Sequence, residues 1–102
     1  GFIRQENISE VIHESHMSLF GECYYICLIK EKPAGYVGVI DRDIRVATHP
    51  DFQGKGVGKF MINELMKIYP DSFAKVKIKN KASIKLFEAC GFKKKYYILE
   101  KD

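Results

Sequence analysis

The chain has 102 residues, 46% of them hydrophobic and 29% charged, which suits one domain over residues 1–102 with one modest core. Its net charge of +4 is uneven: residues 1–50 hold 5 Lys/Arg against 7 Asp/Glu, and residues 51–102 hold 12 against 6. No stretch reaches the ~20 apolar residues of a membrane span, and the start GFIRQENISEV has no basic-then-apolar signal, so a cytoplasmic protein without membrane contact is expected.

Residues 2–5 read as a short first strand. Asn7 or Ser9 can cap a helix running to about Leu19, with Ile8, Val11, Ile12 and Leu19 among its apolar positions and Gly21 ending it. Residues 23–30 are rich in β-formers, residues 31–34 make a turn, and residues 35–40 return as a second strand of a hairpin. Asp41-Arg42-Asp43 is another tight turn, leading into a strand over residues 44–48 that Pro50 stops. The next helix carries Val57, Phe60, Met61, Leu65 and Ile68 as an apolar stripe, and Tyr69-Pro70-Asp71 ends it. Residues 74–79 alternate strictly, with Val76 and Ile78 on one side and Lys75, Lys77 and Lys79 on the other. Asn80 or Lys81 opens a helix burying Ile84, Phe87 and Leu86 that Gly91 closes, and residues 92–99 read as a last strand. The predicted order is β-α-β-β-β-α-β-α-β, an α/β chain of the α+β type with a largely antiparallel first half. Cys23, Cys27 and Cys90 are odd in number and form no C-x-x-C pair, so free core thiols are expected.

The chemistry begins at Gln53-Gly54-Lys55-Gly56-Val57-Gly58, where glycines lead straight into a helix. Amides at a helix start lack internal partners and sit at the positive end of the dipole. Glycines let those amides approach an anion closely, and Lys55 and Lys59 add charge, so the stretch reads as a phosphate site. It is not a Walker loop, because the lysine precedes Gly56 and no Ser or Thr follows. Nor is it a dinucleotide fingerprint, because the third glycine comes too soon. His13-Glu14-Ser15-His16 has its histidines three apart rather than four, so no metal is expected.

Gln53-x-x-Gly56-x-Gly58, after a strand ending in His49-Pro50, resembles the acetyl-CoA signature of the GCN5-related N-acetyltransferase superfamily. Asn80-x-x-Ser83-x-x-x-Phe87-x-x-x-Gly91-Phe92 is similar to that superfamily's second segment, and the gap between the two suits one strand and the flanking helix. The resemblance covers residues 34–92 well and implies a mixed, mainly antiparallel central sheet flanked by helices. It implies that backbone groups of Val46, Ala47 and Thr48 pair with the pantetheine arm of acetyl-CoA, with an amide near Val46 on the acetyl carbonyl. It also implies that amides of Gln53, Gly54, Lys55, Gly56, Val57, Gly58 and Lys59 bind the pyrophosphate, with Asn80 and Ser83 beside the pantetheine and Phe87 near the thioester.

Two departures concern proton transfer. The family often has tyrosine where this chain has Phe87, and some peptide-acetylating members have glutamate where this chain has Lys75. Substitutes are Tyr96, with Tyr97 as its neighbour, for the acid, and Asp43, with Asp41 as its neighbour, for the base. Cys90 is read as a small core residue. The expected activity is acetyl-CoA-dependent transfer of an acetyl group to a primary amine, on a small molecule or a peptide, by direct attack in a ternary complex. The alternative is a regulatory acetyl-CoA-binding module that docks to a partner protein without turnover. The superfamily's usual acceptor wall has few matching residues here, so an open pocket or a homodimer is expected. Nucleic acid is not the expected partner, since no zinc-finger spacing or RNP-type aromatic motif occurs.

Overall fold

Left-handed two-residue turns set the frame of the sheet. In the computed structural model, which describes residues 15–102, four strands pair in chain order, each antiparallel to the next: β1 Ser15–Leu19, β2 Tyr24–Ile29, β3 Lys32–Ile40 and β4 Asp43–Thr48. The turn between β2 and β3 has Lys30 at φ 51° and Glu31 at φ 67°, and that between β3 and β4 has Asp41 at φ 50° and Arg42 at φ 70°. Two successive positive φ values match the right-handed twist of the flanking strands, the geometry tight hairpins favour. The first turn therefore closes before the expected 31–34, and Pro33 joins β3. Its missing N–H is tolerated there because Ala34 is the extra residue of a β-bulge opposite Cys27 and Leu28.

A 3-10 turn over Pro50–Phe52 leads to helix α1, Val57–Ile68, and helix α2 spans Lys81–Ala89. Val57, Met61, Ile62 and Leu65 of α1 are buried against Cys27, Ile29, Ala34, Val37 and Ile44 of the sheet, and Phe87 of α2 closes the cluster. Each such side chain contributes roughly 1.5–3 kcal/mol by leaving water. Ile68, expected in the stripe, is 48% exposed at the helix end, while Phe60 is half-buried against the core. A Cβ on Gly35 would meet the Ala47 carbonyl oxygen and come within 3.0 Å of Met61 Cε, so the bare backbone there lets α1 lie close on β3. The three cysteines are free thiols, and burial pushes the Cys27 thiol pKa up, against a smaller opposing effect of the Ser15 hydroxyl.

Three expected elements differ. The strand at 2–5 and the first part of the helix from Asn7 or Ser9 lie outside the described residues. Where that helix was to end, Ser15–Leu19 is instead strand β1, paired from Ser15↔Ile29 to Leu19↔Tyr25, and Gly21 takes φ 79° in a hairpin rather than at a helix end. Leu19 suited a helical spacing, but β2 offers a ladder to this short segment, and long-range pairing overrides weak local preference. Residues 74–79 do not form a ladder: pairing with β4 is limited to one parallel bridge, Asp43↔Phe73. Residues 92–99 likewise have no ladder, leaving Tyr96 90%, Tyr97 85% and Leu99 92% exposed after Phe92 packs edge-on to Phe87 at 5.2 Å. The described residues form a four-stranded antiparallel sheet with two helices, an α+β fold.

Asn80 starts α2 by accepting the Ser83 N–H on its Oδ1 at 3.1 Å. Asn80→Ala should lower the unfolding free energy by about 1 kcal/mol, while Asn80→Asp, which keeps an acceptor oxygen, should cost less; urea titration of the variants checks both.

Candidate active site

The cleft arises because the chain after α1 touches β4 once and then diverges. Ile44 N–H donates to the Phe73 carbonyl at 2.8 Å, Phe73 N–H donates to the Arg42 carbonyl at 2.8 Å, and Lys75 N–H donates to Asp43 Oδ1 at 3.2 Å. Arg42 holds the junction further, its Nε donating to the Asp71 carbonyl at 3.0 Å and its guanidinium lying 5.7 Å from the Phe73 ring centre. Beyond this clamp the two segments part, and a cleft of about 340 Å³ opens between them.

Strand alternation fixes what β4 presents to that cleft. Ile44 N–H points away from β3, to Phe73, whereas His49 N–H points to the Ala34 carbonyl on β3. With a period of two, Val46 and Thr48 therefore turn their N–H and C=O groups to the open edge, and Arg45 and Ala47 turn theirs to β3. The Thr48 carbonyl accepts a hydrogen bond from Gln53 Nε2 at 3.3 Å. Among the described residues no strand pairs with Val46 on its open side.

The helix start lies just past this edge. Gly54 takes φ 77° and Gly56, the residue before α1, takes φ 80°; no side chain caps the helix, and its first turn has no acidic residue. The positive end of the dipole at the first-turn amides is thus offset by neither a cap hydrogen bond nor a first-turn carboxylate. Gly58 serves a different purpose: a Cβ there would meet Leu86 Cδ2 at 3.1 Å, so its absence lets α1 and α2 approach. Lys55 and Lys59 are exposed beside the loop, with Lys55 Nζ 5.9 Å from the Phe52 ring centre. His49 Nδ1 accepts the Asp51 N–H at 3.1 Å and so shapes the 3-10 turn.

The predicted residues are brought together in part. Val46, Asn80, Ser83 and Phe87 line the cleft, and Gln53 through Lys59 form the turn and helix start that continue from its β4 side. Ala47 presents its backbone to β3 instead. Asp43 sits at the closed end, one oxygen taking the Lys75 N–H and the other 3.4 Å from Arg45 Nε. Tyr96 does not line the cleft and is exposed on the unladdered segment. Cys90 Sγ faces the Lys59 carbonyl at 4.0 Å; burial pushes its pKa up, outweighing the Lys59 charge, so the thiol stays protonated at neutral pH. Sequence reasoning missed Tyr36 and Arg45, which also line the cleft. The alternation of β3 and β4 carried the signal, since Tyr36 and Arg45 fall on the face opposite Val37 and Val46.

The sequence model of the acetyltransferase (GNAT) family matches residues 3–92. No curated protein sequence matches the chain significantly. Among solved structures, the fold is similar to AAC(6′)-Iy in complex with the bisubstrate analogue CoA-S-monomethyl-acetylneamine, with a TM-score of 0.64 and 14% identity over 92% of this chain and 74% of that one. A match over residues 3–92 takes in β4, the glycine turn, both helices and the cleft between them, and the chain therefore belongs to the acetyltransferase (GNAT) family.

Proposed function

We propose that this acetyltransferase moves the acetyl group of acetyl-CoA to a primary amine held in the same cleft. The observation that carries the reading is one of placement: an uncapped helix start with Gly54 and Gly56 at positive φ follows directly on the open edge of β4. An elongated ligand with an anionic middle and an amide-bearing arm fits both features at once. Amides at the start of α1 would hold the pyrophosphate, with Lys55 and Lys59 adding charge. Val46 and Thr48 would pair with the pantetheine arm as an added strand does, and Val46 N–H would donate to the thioester carbonyl. Asn80 and Ser83, at the start of α2, would border the arm, and Phe87 would cover its sulfur end.

Chemistry then rests chiefly on positioning. A neutral amine attacks the carbonyl carbon, a C–N bond forms, the C–S bond breaks, and the amine's proton passes to solvent while the thiolate takes one from it. Asp43 is the candidate base and would act through water, because both its oxygens already have partners in the clamp. Tyr96 would serve as acid only if its segment moved to the cleft.

The second reading, a binding module without turnover, is favoured by one observation: Phe87, which has no hydroxyl, occupies the wall where the leaving sulfur would lie. The two readings separate by experiment. Acetyl-CoA should raise Tm in both, and Gly56→Val, which forces a β-branched residue to φ 80°, should abolish that rise. Amine-dependent release of free CoA, followed with a thiol reagent, supports the transferase; a rise in Tm without release supports the module.

A homodimer is also proposed, with the exposed run Tyr96, Tyr97, Ile98 and Leu99 covered by a second copy. Tyr97→Lys with Leu99→Lys should then halve the mass measured by light scattering, whereas an unchanged mass would count against it.

A further inference from the structure

The two walls of the cleft differ in chemistry. Toward the helices, Ile44, Val46, Val76 and Phe87 make an apolar side. On the other face of the sheet, Tyr36 and Arg45 project from β3 and β4, and Lys75 and Lys77 flank Val76, which packs into the core. None of the described residues lining the cleft is acidic. At the closed end Asp43 is 15% exposed and committed to Arg45 and the Lys75 N–H, so among the described residues at the cleft three cations stand against one paired anion. Arg45 pairs with Asp43, whereas Lys75 and Lys77 are exposed on the cleft side and, among the described residues, form no ion pair.

We propose that the acceptor is an amine that also carries an anionic group, a carboxylate or a phosphate, which Lys75 and Lys77 hold at the cleft mouth while Tyr36 flanks the carbon chain. This rests on the reading of the cleft as the acetyl-transfer site. The electrostatics act in two ways. A second ammonium on the acceptor meets like charge at close range, and an anion is drawn in and oriented with its amine toward Val46. Because the charged groups are solvent-exposed, the preference is expected to weaken with salt.

The test compares γ-aminobutyrate, O-phosphoethanolamine, the carboxamide of γ-aminobutyrate and putrescine as acceptors, reading CoA release and, in parallel, the acetyl-CoA-induced rise in Tm. The expected result is a kcat/KM at least about tenfold higher for an anionic amine than for the carboxamide, with putrescine lowest. The better of the two anionic amines identifies the group. Lys75→Gln with Lys77→Gln should erase that gap through KM while acetyl-CoA still raises Tm. Equal use of the four amines, a preference for putrescine, or a gap that survives in the double variant overturns the proposal. No turnover with any amine, in protein that acetyl-CoA still stabilises, overturns it too and leaves the cofactor site standing. Loss of the acetyl-CoA effect in the native chain overturns the cofactor reading and, with it, this one.

Discussion

A single bridge between β4 and the segment after α1 governs the site. Hydrogen bonds among Arg42, Ile44 and Phe73, with Asp43 taking the Lys75 N–H, join the two segments at one end only. Had the pairing continued, Val46 and Thr48 would have satisfied their backbone groups in a ladder and no cleft would exist. Because it stops, β4 keeps an edge with donors and acceptors at strand spacing, a surface that an extended amide-bearing ligand can complete. The polar cost of an open edge is tolerated because solvent reaches it when no ligand does.

The same economy applies at the helix start. A helix usually begins with Ser, Thr, Asp or Asn, whose side chain occupies the first amides. α2 follows that rule with Asn80, whereas α1 has Gly56 at that position and no side chain on its first amides. The contrast within one chain is between a helix whose first turn is capped by a side chain and one whose first turn is not. Glycines divide the work further: Gly54 and Gly56 supply positive φ, and Gly58 supplies room for Leu86.

Legibility differed by the range of the interactions concerned. The helices at Val57–Ile68 and Lys81–Ala89 and the central hairpin were readable because their apolar spacings, caps and turns are local. The end of the expected first helix was misread: Leu19 fits the helical spacing from Ile12, and only β2 decided in favour of a strand. The alternation over residues 74–79 correctly separates Val76 from Lys75 and Lys77, yet alternation carries no information about whether a partner strand is within reach. The run at 92–99 has strong β-formers and no ladder for the same reason.

The sequence by itself determined the glycine turn before α1, its lysines, the family resemblance and the absence of a hydroxyl at Phe87. Those follow from residue type and spacing along a few turns of chain. Only the tertiary structure decided that Val46 faces the cleft while Ala47 does not, and that Asp43 is held between Arg45 and Lys75. It alone brought Tyr36, Arg45, Lys75 and Lys77 to one cleft. Strand register and the point where two segments part are set by contacts between residues about 30 positions apart, such as Lys75 with Asp43, and no local pattern encodes such a pairing.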